Sequence, residues 1–148
     1  MNNNYLNKSK YIFCLIVIIS ISNAAAQDSL SIFSILSEAA HSDEKDHKLM
    51  SLDYIEDIMK RSLNISGILQ ERIIYPIYNI LEYLVLEGTI NNSKNENQHN
   101  NFLDVRLRAV ILLGWLNIME ARDLLIELLR YENNQLIIDA ANKILYEN

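Results

Sequence analysis

The stretch that decides the fold is VRLRAVILLGWL, residues 105–116, an apolar run with two arginines near its start. Its apolar positions recur at intervals of four, three, one and three residues: Val105, Ala109, Leu112, Leu113 and Leu116. Such intervals place side chains on one stripe of an α-helix. Asp104 precedes the run, and aspartate is a favoured residue at helix N-caps. We therefore predict a helix that is capped by Asp104 and packs through this stripe.

Two further helices are predicted downstream. After a short connector at Asn117 and Ile118, a second apolar stripe comprises Ala121, Leu124, Leu125, Leu128 and Leu129. So short a connector requires the two helices to pack antiparallel. A third helix, in LIIDAANKIL at residues 136–145, is expected to repeat the first stripe at a constant sequence offset of 31. The expected equivalent pairs are Val105 and Leu136, Ala109 and Ala140, and Leu113 and Ile144.

The rest of the chain also predicts an all-α fold. One proline and three glycines leave little material for the tight turns that sheets need. Apolar residues at helical spacing predict helices over residues 30–40, 49–63 and 68–86, and we expect the last of these to be the central buried helix. Pro76 lies inside it and predicts a kink or a break. The run NNSKNENQHNN, residues 91–101, has no apolar side chain and predicts a mobile loop.

Residues 1–26 have the three-part pattern of a secretory signal peptide. Lys8 and Lys10 precede an apolar run at residues 11–22, and three alanines ending at Ala26 follow as a cleavage site. The apolar run is shorter than the roughly twenty residues that cross a membrane. We expect cleavage near Ala26 and export, to the periplasm in a bacterium with two membranes. The alternative is an uncleaved leader that tethers the protein to the membrane.

Charge and cysteine content restrict the partners of the domain at residues 27–148. Cleavage of the leader would change the net charge from −6 to −8, which disfavours nucleic acid and anionic membranes. The sole cysteine, Cys14, lies in the leader. The mature domain would therefore be held together by packing, without disulfides, and would not be inserted in a membrane.

The C-terminal third of the chain resembles a known family. The segments Asp104-Val105-Arg106 and Leu113-Gly114, the helix EARDLLIELL, and later Asn134 and Ala140-Ala141 resemble HEAT repeats of the short HEAT-like variety, over residues 103–147. The resemblance implies a short α-solenoid of antiparallel helix pairs. It also implies that Arg106 joins a polar ladder between repeats, and that Gly114 lets the chain turn. The second copy departs from the pattern, with Ile137 in place of Arg106.

No motif of a familiar enzyme class is present in the sequence. It lacks HExxH, GxSxG and a glycine-rich phosphate loop, so we predict neither catalytic residues nor a cofactor. The best metal candidates lie in HSDEKDH and are His41, Asp43, Asp46 and His47. Asp43 and His47 would share a helix face and could bind a divalent cation, which makes a metal-dependent enzyme the alternative hypothesis. A solvated polar link is the interpretation we favour for this segment.

The sequence thus favours an exported, non-enzymatic scaffold that binds another protein. Its candidate contact residues are Trp115, Arg122, Arg130 and Ile137. An exposed tryptophan near a helix turn would anchor a partner, although core packing is the role we favour for Trp115. Arg122 and Arg130 lie on the polar side of the second helix. Ile137 belongs to a last helix without a following partner helix, so part of its apolar surface is expected to be covered by another molecule or by the N-terminal helices.

Overall fold

The structure, a computed structural model, describes residues 27–62, 68–90 and 102–146, and all secondary structure in these ranges is α-helical. The helices are α1 (Gln27–His41), α2 (Lys45–Ser62), α3 (Ile68–Ile90), α4 (Leu103–Leu116), α5 (Met119–Tyr131) and α6 (Gln135–Tyr146). The prediction of an all-α fold is confirmed. The predicted leader and the predicted loop at residues 91–101 lie outside the described residues. None of the described helices combines the length and the apolar character needed to cross a membrane.

The chain divides into two units at Ile35 and Leu36, and the described part of the second contains α2 to α6 with the C-terminal part of α1. Helix α4 is the centre of the second unit, because it packs against α2, α3, α5 and α6. Its buried apolar side chains are those of Val105, Ala109, Val110, Leu112, Leu113 and Leu116. The expectation that α3 is the central helix was therefore wrong. The apolar residues of α4 cover more than one face, so it can be enclosed on several sides.

Contacts along α4 fix the directions of α2 and α6. Lys45, the first residue of α2, forms an ion pair of 2.6 Å with Asp104 at the start of α4. Lys60, near the end of α2, lies 5.9 Å from the ring centroid of Trp115 near the end of α4. Helices α2 and α4 are therefore parallel. Gly114 approaches Ile144 near the end of α6, so that α6 runs in the same direction.

Helices α3 and α5 run in the opposite direction. The Tyr75 hydroxyl in α3 donates a hydrogen bond of 3.4 Å to Glu120 at the start of α5. Further along α3, the Val85 carbonyl accepts a hydrogen bond from Arg106, whose guanidinium also pairs with Glu132, the residue after α5. Within the described part of the second unit, α2, α4 and α6 thus share one direction, and α3 and α5 share the other.

The buried positions of α6 correct the predicted register. Ile137, Ala141 and Leu145 are buried, whereas Leu136 is 55% exposed. These buried residues follow the buried Val105, Ala109 and Leu113 at an offset of 32, so the predicted offset of 31 was short by one. The cause is the start of the helix. The Asn134 side-chain oxygen accepts a hydrogen bond of 3.0 Å from the Leu136 N–H, and α6 begins at Gln135, which follows the start of α4 at Leu103 by the same offset.

The turn between α4 and α5 also differs from the expectation. Asn117, not Gly114, has the left-handed backbone conformation there, with φ 49° and ψ 41°. Asparagine tolerates this conformation better than most residues with a side chain. Asp104 lies inside the first turn of α4 rather than at its cap. Helix α3 continues through Pro76 without a break.

Candidate binding surface

A groove with a mixed, mainly apolar lining opens between α5 and α6, at the end of the molecule where α4 finishes. Leu113 and Gly114 of α4 form its floor, and its volume is about 280 Å³. The connector, α5 and α6 supply its walls through Asn117, Ile118, Met119, Ala121, Arg122, Leu125, Ile144 and Leu145. Helices α5 and α6 are joined at their other end, by residues 132–134. The groove is therefore the open end of a helical hairpin, and we refer to it as the hairpin groove.

Gly114 lets α4 and α6 approach each other at the floor of the hairpin groove. A Cβ atom on Gly114 would lie 2.8 Å from Cγ2 of Ile144 and 3.0 Å from its Cδ1. Separations below 3.0 Å require one of the two groups to move. The lack of space for a side chain at position 114 thus explains why the residue there is glycine. Its role is close packing, rather than the chain reversal that the family resemblance implied.

The rim of the hairpin groove presents apolar and cationic side chains to solvent. Met119 is 76% exposed, and Arg122 is also exposed. No ion pair or hydrogen bond involves the Arg122 side chain within the described ranges. Ile118 occupies the N-cap position of α5 and provides no side-chain hydrogen bond to the first turn. The first N–H groups of α5 consequently point their partial positive charge toward the same end of the molecule.

The acidic side chains at the start of α5 lie on its other side, toward α3. The pKa of Tyr78 in α3 is raised to about 12, chiefly by burial and by its hydrogen bond to Glu82, and further by the charges of Glu120 and Asp123. Glu120 also accepts the hydrogen bond of Tyr75 described above. The first two turns of α5 therefore separate their charges, with two carboxylates toward α3 and the Arg122 guanidinium beside the hairpin groove.

The four predicted contact residues have different environments. Arg122 lines the hairpin groove. Trp115 is 44% exposed, so its side chain is not packed wholly in the core. Arg130 is exposed and lies outside the groove. Ile137 was a wrong prediction, because its side chain is fully buried by the register shift of α6. Met119 was not among the predicted contact residues. The sequence did contain an indication of its exposure, because Met119 is an unbranched apolar residue directly after the two-residue connector between α4 and α5.

The histidines of HSDEKDH have separate surroundings. His41 stacks on Tyr83, with 3.7 Å between ring centroids, and its Nδ1 donates a hydrogen bond of 2.7 Å to the Ser37 carbonyl. Nδ1 of His47 lies 3.0 Å from the Ser42 hydroxyl. Asp43 precedes the first residue of α2, and so does not share a helix face with His47. Across residues 27–62, 68–90 and 102–146, no three His, Cys, Asp or Glu side chains are grouped to hold a metal ion.

A buried lysine near these histidines joins three helices. Lys48 of α2 is 1% exposed, and its Nζ donates hydrogen bonds of 2.8 Å to the Ala40 carbonyl and to both carboxylate oxygens of Glu87 in α3. Tyr83 donates a hydrogen bond to the same carboxylate, and burial followed by the Glu87 charge raises the pKa of Tyr83. Sequence reasoning missed Lys48. Its spacing from Leu52 places it on the buried stripe of α2, which was the available signal.

No protein-family model matches this chain, and neither the curated proteins nor the solved structures provide a match.

Proposed function

We propose that this chain is an exported, non-enzymatic scaffold of HEAT-like type that binds another protein through the hairpin groove. The observation that carries the proposal is a mainly apolar groove whose rim exposes Met119 and Arg122. Apolar surface that remains open to water is a frequent mark of a protein contact site, since covering it contributes about 25 cal/mol per Å². Methionine and arginine are both enriched in such interfaces.

The order of the helices supports the HEAT-like part of this proposal. Helices α2, α4 and α6 are parallel to one another, and α3 and α5 run the opposite way, as expected for successive antiparallel pairs. The buried Arg106 also fits the family pattern, because it connects the Val85 carbonyl to the Glu132 carboxylate.

Site-specific photocrosslinking in the source cells tests the binding function. The full chain would carry a photoreactive amino acid in place of Met119 or, as the matched control, in place of Glu127. Glu127 is an exposed residue on another face of the same helix. We expect a discrete protein adduct from position 119 and none from position 127. Absence of an adduct at position 119, or equal adducts at both positions, would contradict the proposal.

Export is tested by the mass of the N-terminus of the protein recovered from cells. Cleavage after Ala26 predicts a chain that starts at Gln27 and is recovered from the periplasmic fraction when the source cell has two membranes. A chain that keeps residues 1–26 and is recovered with membranes would instead support the tethered alternative. This result does not alter the expectation for the hairpin groove.

A further inference from the structure

All sulfur in the described part of the chain belongs to methionine. The sole cysteine, Cys14, lies outside the described residues, which contain Met50, Met59 and Met119. The thioether of methionine is polarisable, and peroxides convert it to a sulfoxide when they can reach the sulfur. The exposed fraction of each methionine therefore indicates which one reacts first.

The three described methionines differ widely in exposure. Met119 is 76% exposed, Met50 is 37% exposed and Met59 is 6% exposed. Met119 is the first residue of α5, directly after the connector, whereas Met59 lies on the buried stripe of α2. A peroxide reaches a core methionine only when the fold opens locally. Peroxide in solution therefore has its readiest access to Met119.

Oxidation of Met119 would change a side chain that lines the hairpin groove. A lone pair on the sulfur attacks one oxygen of hydrogen peroxide, so that an S–O bond forms as the O–O bond breaks and the other oxygen leaves as water. The sulfur is thereby oxidised by two electrons and the peroxide is reduced. The product is a polar sulfoxide that accepts hydrogen bonds, whereas the thioether is only a weak acceptor. The rim would thus lose an apolar side chain.

Arg122 is placed to donate a hydrogen bond to this sulfoxide. It is exposed, follows Met119 by three residues on α5 and lines the same groove. Side chains at this helical spacing are neighbours, with about 5–6 Å between their Cβ atoms. Among the described residues, no hydrogen bond or ion pair occupies the Arg122 guanidinium. Its N–H donors are therefore available for a charge-assisted bond to the sulfoxide oxygen.

From these features we propose that Met119 is a site of reversible oxidation by peroxides, and that the guanidinium of Arg122 holds its sulfoxide at the rim of the hairpin groove. A dithiol reductant reverses the step, because it is oxidised to a disulfide while the sulfoxide oxygen leaves as water. The consequence for binding rests on the proposed function. The oxidised rim presents a polar pair in place of an apolar side chain, and a partner is held more weakly.

Peroxide treatment of the full chain, followed over time by peptide mass spectrometry, tests the site of oxidation. We expect Met119 to react about twice as fast as Met50 and at least about tenfold faster than Met59. In concentrated urea, where the fold is lost, the three rates should converge. Equal rates for Met119 and Met59 in the folded chain would overturn the inference, as would a difference that persists in urea.

NMR of the Arg122 side chain tests the contact. Oxidation of Met119 should shift the Nε–H signal of Arg122, and treatment with a methionine sulfoxide reductase and a dithiol should restore it. Met119→Leu is the matched control, since the same peroxide treatment still oxidises Met50 but should leave the Arg122 signal unchanged. An Arg122 signal that is unaffected by oxidation, or that shifts equally in Met119→Leu, would overturn the contact and the inference with it.

Photocrosslinking from position 118, which also lines the hairpin groove, separates this inference from the proposed function. The chain would carry Met119→Gln, whose amide replaces the sulfoxide as an uncharged polar group, or Met119→Leu as the apolar control. We expect the adduct to persist with leucine and to fall at least about threefold with glutamine. Equal adducts would overturn the effect of oxidation but retain the binding function. Absence of an adduct with the natural Met119 would refute the binding function, and the oxidation rates would still decide the site.

Discussion

Two arginines that are two residues apart on α4 have opposite environments. Arg106 is 4% exposed, and it reaches the Val85 carbonyl at 3.1 Å and the nearly buried carboxylate of Glu132. Arg108 has a side chain that is 30% exposed, and it pairs with Asp53 at 2.6 Å and with Glu56, both on α2. One helix thus contributes a buried ion pair on one side and a surface ion-pair network on the other.

This difference in burial leads us to expect that substitutions at the two sites differ in cost. Removing one partner of a buried pair leaves a charge without water or a counterion, which typically costs about 3–5 kcal/mol. A surface pair is screened by water and salt and contributes about 0–1 kcal/mol. Because it is buried, Arg106 is expected to matter more than Arg108 to the free energy of unfolding.

The largest expected effect is that of Glu132→Ala. It removes the counterion of Arg106 and also the acceptor of the Asn133 and Asn134 N–H groups, at 3.1 and 2.9 Å. We expect a loss of about 3–5 kcal/mol in the free energy of unfolding, measured by urea denaturation followed by circular dichroism. Glu127→Ala, at an exposed site, is the control and should change it by less than about 0.5 kcal/mol. A loss for Glu132→Ala below about 1 kcal/mol, as at a surface pair, would remove the contrast with Arg108.

A smaller effect is expected on the side of α4 that faces α6. Gly114→Ala brings a methyl group against Ile144, and overpacking of this kind costs about 1–3 kcal/mol, while alanine regains about 1 kcal/mol of helix propensity. We expect a net destabilisation of about 1 kcal/mol in chemical denaturation. In an Ile144→Ala background, the same substitution should become stabilising. If its sign does not change, the contact between α4 and α6 is not what requires glycine.

Arg108→Ala should cost less than either of these substitutions. One of its partners, Asp53, is exposed and the other, Glu56, is partly exposed, so we expect a loss of about 0.5–1 kcal/mol at low ionic strength. In 1 M NaCl, the difference from wild type should shrink, because the screening length falls to about 3 Å. Thermal unfolding at both salt concentrations measures this. A loss that does not depend on salt and approaches the cost of breaking a buried pair would show that Arg108, like Arg106, acts as a buried charge.

The smallest expected effect is the contribution of Glu56 to the pH dependence of the free energy of unfolding. Hydrogen bonds from Lys60 and then Arg108 hold the pKa of Glu56 below its ordinary value of 4.5. A lowered pKa in the folded state stabilises the fold above pH 4.5, and this contribution is lost as the pH falls through the lowered value. The advantage of the wild type over Glu56→Gln should therefore be a few tenths of a kcal/mol near neutral pH and vanish in acid. An advantage that grows in acid would have the wrong sign.

The sequence predicted the helices well where apolar spacing alone determines them. Ala121, Leu124, Leu125 and Leu128 are buried in α5 as expected. The register of α6 was wrong by one residue because the Asn134 cap sets where the helix begins, and with that error Ile137 was placed on the surface. Lys48 was missed because a charged side chain was assumed to face water. A buried lysine needs acceptors from other helices, and spacing along one helix does not reveal them.

The hairpin groove depends on relations between helices, so the sequence indicated only its components. Arg122 was identified as a contact residue. That α4 closes the floor of the groove follows from the approach of Gly114 to Ile144, which belongs to a helix much further along the chain. Similarly, the separation of Arg122 from Glu120 and Asp123 depends on where α3 packs.

A glycine at position 114 also sets how deep the hairpin groove is. The distance between α4 and α6 depends on the size of the side chain at position 114. Each added carbon would therefore raise the floor of the groove and leave less depth for a side chain of the partner. Residue 114 would then limit the size of the partner side chains that fit the groove, without itself having to contact the partner. Exchange of glycine for alanine or serine offers a way to retune the choice of partner while every side chain on the rim stays the same.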